Sequence, residues 1–214
     1  GACLVQNITF SGMLKEHLTD LTTAVLDNKA DVGIAVDPDV DRLVFMDENG
    51  VLFGEEYTLV ACADYVLAHQ KGDVVSNLSS SRSLADLAQQ HGVDYHASAV
   101  GEVHVVEKMK AVKAVIGGEG NGGIILPELH YGRDALVGIA LFLSFLAKER
   151  ETVSSLKKRY SSYVMSKKKI QLSETWDTDA LLTTVAHTFK NERVTTIDGV
   201  KIDFDDSWIH LRKS

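Results

Sequence analysis

Proline and cysteine are scarce in this chain, with two of each among 214 residues. The prolines, Pro38 and Pro127, make no proline-rich arm, and no Ser/Gly-rich linker interrupts the chain. Cys3 and Cys62 lack CxxC spacing and suggest no disulfide framework; they read as buried thiols in a reducing compartment. Long apolar runs are missing too. The most apolar stretch, "ALVGIALFLSFLA" at 135–147, is too short to span a bilayer and reads as a buried helix. The start, "GACLVQNITF", has neither the basic residues nor the apolar core of a targeting segment. Nor is there an excess of cations. The net charge of −8 argues against a nucleic-acid-coating surface and against anionic membranes. The basic run Lys167-Lys168-Lys169, beside the alternating "KIQLS", reads as the solvated start of a strand. These absences predict a soluble, cytoplasmic protein with no nucleic-acid or membrane partner.

A hydrophobic content of 45% suffices for one large domain or two small ones. Residues 13–28 put Leu14, Leu18, Leu21 and Val25 on one helical face. "DVGIAV" (31–36) has no polar face, the pattern of a strand buried on both sides. "LVFMDENGVLF" then predicts a hairpin turning at Asn49-Gly50. From residue 55 helices and strands alternate: helix 55–69, strand 73–78, a helix over 81–91 capped by a serine before it and Gly92 after it, strand 93–99, helix 103–111, strand 113–118, a glycine-rich loop, the strand "IIL", and a helix from about Arg133 to Glu149. That alternation predicts a three-layer α/β domain. After residue 150 the pattern changes to a helix over 154–163, a strand "KKKIQL", a helix over 178–191, and three short strands joined by tight turns. This is an α+β unit with an antiparallel meander. Both ends of the chain break into a pattern, as in a piece of a longer protein.

"DPDVDR" follows the buried strand. Three carboxylates at alternate positions, Asp37, Asp39 and Asp41, repel one another unless a cation sits among them, and a strand end in an α/β sheet is where ligands bind. Magnesium, a hard cation wanting oxygen ligands, suits them better than an acid-rich polar turn does. An EF-hand does not fit, because Arg42 stands where that loop needs glycine and strands flank it. An aspartyl-phosphate phosphatase of the DxD type matches "GIAVDPDV" but leaves Asp41 and Arg42 without a role.

"GGEGNGG" (117–123) contains a GxGxxG match at Gly118, Gly120 and Gly123. A dinucleotide fingerprint would have to open a helix, and here "IILP" follows; a P-loop's lysine and hydroxyl are also missing. Two readings stay open. One is a plain turn between strands. The other is a close backbone approach to a ligand, with Glu119 and Asn121 offering polar groups to sugar hydroxyls. A carboxylate in such a loop is expected to be exposed and solvated.

Taken in order, these motifs resemble those of the α-D-phosphohexomutase superfamily, whose members interconvert 1- and 6-phosphorylated hexoses. "DPDVDR" is similar to the magnesium loop DGDxDR, with Pro38 in place of glycine. "GEGNG" resembles the sugar loop GEESG, with Asn121 at the serine position. "NLSSSRSLADLAQQHGVDYHASAVGE" looks like the Ser-Ser-Arg segment and Val-Gly turn between them, and "GRDALVGIALFLSFLA" like the helix after the sugar loop.

The resemblance implies an α/β fold: a mixed-sheet three-layer α/β domain (53–152), preceded by the end of a similar domain carrying the metal loop (1–52) and followed by a partial α+β domain with an antiparallel meander (153–214). It implies a phosphotransferase working through a phosphoserine and a bisphosphate intermediate, with that serine in a first domain outside these residues. The piece alone is then expected to be inactive. Asp37, Asp39 and Asp41 would hold Mg²⁺, Arg42 would steady the loop or meet a phosphate, and Glu119 and Asn121 would grip the sugar. Arg212, Lys213 and Ser214 resemble the first half of a phosphate loop, RxSxTE, which makes Arg212 and Ser214 substrate-binding candidates. His104, just past the Val-Gly turn, is a candidate general base. The implied partner is a hexose or hexosamine phosphate, with hexosamine or mannose favoured over glucose. A noncatalytic sugar-phosphate or ion-binding module is the alternative from another class.

Overall fold

The computed structural model describes residues 5–7, 18–173 and 176–213. Its first layer is a small sheet of β1 (Val5–Asn7), β2 (Gly33–Val36) and β3 (Leu43–Met46), with β2 parallel to β1 and antiparallel to β3. All four residues of β2 and all four of β3 are buried, so the polar-free strand does have two covered faces. Ala35, Val44 and Met46 pack against Leu18, Leu21 and Val25, which belong to α1 (Thr19–Asp27) or its entry. Ile34, Val36, Leu43 and Phe45 point the other way, into the main core. The expected hairpin after β3 shrinks to a single bridge between Met46 and Leu52, closed by Asp47, whose backbone N–H donates to Val51 O at 2.8 Å.

The main sheet contains β4 (Val74–Asn77), β5 (Tyr95–Ser98), β6 (Ile116–Glu119) and β7 (Gly123–Ile125), in the order β5-β4-β6-β7. The first three are parallel; β7 turns back antiparallel to β6. One face is covered by α4 (Glu102–Val112), whose Val105 and Met109 meet Val75 and Ile125. The other carries α2 (Glu55–Leu67), α3 (Ser83–His91) and α5 (Ala135–Glu149). This is the three-layer arrangement expected from the alternation. The core on this face runs without a break into the first sheet: Phe45 of β3 stacks on Phe142 of α5 with ring centroids 3.7 Å apart, and Phe53 meets Phe142 edge-on at 5.0 Å. Gly92 closes α3 in the left-handed conformation at φ 67°, as expected of a helix-ending glycine, and Ser81 Oγ accepts from Ser83 N–H at its start.

Beyond residue 150 two expectations fail. The helix expected over 154–163 is only α6 (Val153–Lys157). Beyond it, Tyr160 Oη donates to Asp64 and Tyr163 Oη to Asp86, and these long-range bonds draw the chain off the helical path. "KKKIQL" is not a strand; residues 161–173 have no regular structure. α7 (Thr178–Thr188) and the meander β8 (Arg193–Thr195), β9 (Val200–Asp203) and β10 (Trp208–Leu211) follow, in the antiparallel order β10-β9-β8. Among the described residues no helix is long and apolar enough to cross a membrane. Cys62 is a free, fully buried thiol whose ionisation burial opposes; Cys3 lies outside the described residues.

Candidate functional site

The aspartate loop hangs between β2 and β3 and is built around Asp37. Asp37 Oδ1 accepts the backbone N–H groups of Asp41 at 3.1 Å and Arg42 at 3.0 Å, and Oδ2 accepts from Arg42 Nε at 2.5 Å. Burial pushes this carboxyl up, but the hydrogen bonds from Arg42 and Asp41 outweigh it and hold Asp37 below its ordinary value. Val40 takes a left-handed φ of 57°, a costly conformation for a β-branched residue. It is held there by Val40 N–H donating to Asp37 O and by Val40 O accepting from Ala135 N–H, the first residue of α5. The loop is therefore tied to the same helix start that carries Arg133 and Asp134. Asp134 caps that helix by accepting from Val137 N–H at 3.0 Å.

Oxygens of Asp37, Asp39 and Asp41 can all come within 4.8 Å of one another. Asp41 Oδ1 is buried and accepts no hydrogen bond. Burial and the neighbouring Asp37 carboxylate push the Asp41 carboxyl up to about 6, against the pull of Arg133. Three converging carboxylates, one with a buried oxygen that accepts no hydrogen bond and has Arg42 Nε 3.6 Å away, fit a hard divalent cation.

The glycine-rich segment forms the tight β6–β7 turn. Gly122 has φ 87°, and a Cβ there would lie 2.1 Å from Leu43 O; a Cβ on Gly118 would lie 2.0 Å from Gly123 O. Only glycine permits this approach, which lets Gly122 O accept from Leu43 N–H at the start of β3. The turn reading and the close-approach reading describe the same loop: Glu119 ends β6, and Asn121 Oδ1 accepts from Gly123 N–H inside the turn.

Glu119 is not the solvated loop carboxylate that its setting suggested. It is 6% exposed, accepts from Asn77 Nδ2 at 2.9 Å on Oε1, and meets Arg133 Nη1 at 3.2 Å on Oε2. Its strand position, at the carboxyl end of a parallel sheet, buries its stem. Arg133 also pairs with Asp41 and, through Nε at 3.0 Å, with Glu102 at the start of α4. One guanidinium thus joins the aspartate loop, the glycine turn and the Val-Gly turn. Sequence reasoning gave no role to Arg133, Glu102 or Asn77. The available signal was charge balance: two acidic loops at neighbouring strand ends need a cation, and Arg133 precedes the helix that packs beside both.

Glu56, in the first turn of α2, lies under the same loop. A Cβ on Gly120 would fall 2.0 Å from its Oε1, which is buried and unpartnered, while Oε2 accepts from Ser81 N–H at 2.8 Å. Burial pushes the Glu56 carboxyl up to about 7 despite that hydrogen bond and the charge of Lys167.

A cavity of about 780 Å³ opens beside this cluster, with Asn77, Glu119 and Asn121 on its wall, and Lys167, Lys168, Lys169 and Arg212 also lining it. Arg212 Nε lies 3.6 Å from Asp198 Oδ2. His104 is exposed, pairs with Glu107 at 3.6 Å, and does not line the cavity. Ser214 lies outside the described residues.

The sequence profile described as "Phosphoglucomutase/phosphomannomutase, alpha/beta/alpha domain III" matches residues 46–163, and that of domain II of the same family matches residues 6–50. The chain belongs to the phosphoglucomutase/phosphomannomutase family. Within the α-D-phosphohexomutase superfamily, it is 34% identical over 203 residues to a phosphoglucomutase/phosphomannomutase of Thermococcus kodakarensis, covering 94% of this chain and 44% of that protein. It is 29% identical over 204 residues to a phosphoglucosamine/phosphogalactosamine mutase of Sulfurisphaera tokodaii, covering 93% of this chain and 45% of the relative. A crystal structure of a phosphoglucomutase/phosphomannomutase family protein from Burkholderia thailandensis superposes with a TM-score of 0.81 at 25% identity, over 94% of this chain and 43% of that one. The chain thus spans somewhat under half the length of these phosphohexomutases.

Proposed function

We propose that this chain forms the metal- and sugar-binding part of a magnesium-dependent phosphohexomutase, which moves phosphate between the 1- and 6-positions of a hexosamine or mannose phosphate through a phosphoserine and a bisphosphate. The observation that carries the reading is Arg133, whose single guanidinium pairs with both Asp41 and Glu119. A metal loop and a sugar loop sharing one cation form one site, as a reaction that needs both a phosphoryl group and a sugar demands. Asp37, Asp39 and Asp41 would hold Mg²⁺, which when bound would neutralise charge on the transferring phosphoryl group.

The chain's own residues do the positioning. Arg42 fixes the Asp37 carboxylate in the loop. Glu119, oriented by Asn77 and Arg133, keeps lone pairs for sugar hydroxyls, and Asn121 adds a donor and acceptor beside it. Favouring hexosamine or mannose phosphates draws support from Asn121 in the loop and from relatives named phosphoglucosamine mutases and phosphomannomutases. Domain limits near residues 52 and 152 belong to the same proposal. The phosphatase reading would make Asp37 the nucleophile, yet hydrogen bonds from Arg42 and Asp41 occupy both its oxygens.

Calorimetric titration of glucosamine 6-phosphate and mannose 1-phosphate, with Mg²⁺ present, tests the assignment on wild type and Glu119→Gln. The variant should bind roughly tenfold more weakly, because a charge-assisted bond to a hydroxyl becomes neutral. It should also lose about 1–3 kcal/mol of stability, since Arg133 loses a buried partner. Unchanged affinity in a folded variant would remove Glu119 from the sugar site.

A further inference from the structure

The Glu56 carboxyl supports Glu119 from two sides. On one side, Glu56 Oε2 accepts from Ser81 N–H at 2.8 Å. Ser81 follows the turn whose first residue, Asn77, holds Glu119. Asn77 Oδ1 accepts from Ser79 N–H at 3.0 Å and Ser80 Oγ at 3.2 Å, while its Nδ2 donates to Glu119 Oε1 at 2.9 Å. On the other side, Glu56 Oε1 fills the space where a side chain at Gly120, the residue after Glu119, would begin. Gly120 lines the cavity and does not have a positive φ, so space and not backbone conformation keeps it glycine. Oε1 itself is buried and accepts no hydrogen bond. Such an oxygen is costly on an anion and far less so on a neutral acid. The groups facing it come from every element around it. Ser81 and Lys167, from the segment beyond α6, favour the anion, and Glu55 beside it on α2 opposes it. Tyr95 of β5 faces it too: burial first, and then the Glu56 charge, push that phenol up. Glu119 and Asn121 flank Gly120. Burial outweighs the groups that favour the anion and brings the Glu56 carboxyl to about 7.

We propose that Glu56 is a positioning residue for sugar binding: its protonated carboxyl seats the Gly120 and Ser81 turns so that Glu119 and Asn121 face the ligand, and its ionised form unseats them. The proposal rests on the phosphohexomutase reading of the cavity. Glu56 is not among the residues that line the cavity, so it acts through Gly120 and Ser81 and not on the sugar. The neutral acid lies against Gly120 without needing a donor at Oε1. The anion finds one only by turning towards water or the Lys167 ammonium, which withdraws it from beneath the turn. A ligand on the Glu119–Asn121 wall requires the seated turn. Ligand and proton therefore favour each other, and each raises the affinity for the other by the same factor. Affinity for the sugar phosphate is highest with Glu56 protonated and falls as pH rises through about 7.

The test is calorimetric titration of the chain with mannose 1-phosphate, Mg²⁺ present, at pH 6 and pH 8. The proteins are wild type, Glu56→Gln and Glu55→Gln. Glu56→Gln keeps the shape and the acceptor for Ser81 N–H but carries no charge at any pH. It should bind like wild type at pH 6 and on the order of fivefold more tightly than wild type at pH 8. The ligand's phosphate and the aspartate loop titrate alike in all three proteins, so the difference from wild type isolates Glu56. Titration at pH 7 in two buffers of unlike ionisation enthalpy adds a second readout. Wild type should take up a fraction of a proton more per ligand bound than Glu56→Gln does, an effect that mere support of the fold would not produce. Glu55→Gln removes the neighbouring charge, leaves Glu56 in place, and should keep the fall in affinity. Parallel affinities of wild type and Glu56→Gln at both pH values, with equal proton uptake, would overturn the role of Glu56 and leave the mutase reading standing. A fall abolished by Glu55→Gln as fully as by Glu56→Gln would reduce the effect to charge at the helix start and overturn the proposal. Failure of wild type to bind mannose 1-phosphate at either pH would contradict the sugar reading and the proposal together.

Discussion

Arg133 Nη1 lies 3.2 Å from Glu119 Oε2, and Arg133 brings Asp41 and Glu102 to the same guanidinium. Removing that cation leaves three carboxylates facing one another, with Glu119 among the most buried charged groups of the fold. Arg133→Met should therefore cost about 3 kcal/mol, the scale for stripping one partner from a buried pair. For a chain of this size that is a fall in Tm on the order of 5–10 °C. Combining it with Glu119→Gln should restore part of the loss, and thermal melts of the two single variants and the double variant measure the coupling. Additive losses would mean that the pair contributes nothing specific.

Glu56 gives the fold a pH dependence of predictable sign. Burial raises its carboxyl from 4.5 to about 7, so between those values the folded chain holds a proton that the unfolded chain releases. Its contribution is fully present below about 4.5 and is lost as pH rises through about 7. The shift corresponds to roughly 3 kcal/mol at most. Glu56→Gln should accordingly be more stable than wild type at pH 8 and show a smaller fall in Tm between pH 5 and pH 8. Parallel melting profiles for the two proteins would show that Glu56 is not the group responsible.

The aspartate loop makes a separate prediction. Asp39 is its exposed member, so Asp39→Asn should leave the melting temperature almost unchanged. It should nevertheless weaken Mg²⁺ binding severalfold in calorimetry, because one of three converging charges is gone. Equal Mg²⁺ affinity in the two proteins would place the metal elsewhere.

What was legible in the sequence follows from period and local chemistry. "DVGIAV" announced a strand buried on both faces because no alternate position is polar, and Gly92 marked a helix end because only a left-handed residue closes it that way. The aspartate loop was legible because like charges at alternate positions are costly without a counter-charge. The Arg133 cluster was not legible, since residues 41, 102, 119 and 133 meet only after three strands align. Glu119 was misjudged for a related reason: a glycine-rich neighbourhood suggests exposure, but its place at a strand end buries it. "KKKIQL" alternates like a strand, yet alternation makes a strand only where a sheet edge offers backbone partners, and none pairs with this segment. Tyr160 and Tyr163 shortened the expected helix through contacts with Asp64 and Asp86 that no local rule anticipates.

The central claim is that these residues supply the metal- and sugar-binding part of a phosphohexomutase. Its most direct test places them in a working relative. The segment of the Thermococcus kodakarensis protein that aligns over 203 residues would be replaced by this chain, and turnover followed in a coupled assay with glucosamine 6-phosphate, mannose 1-phosphate and glucose 1-phosphate plus a bisphosphate activator. The account predicts mutase turnover by the chimera, highest with the hexosamine or mannose phosphate, and a loss on the order of a hundredfold on Asp39→Asn. A folded chimera that binds Mg²⁺ yet turns over none of the three sugars would contradict it.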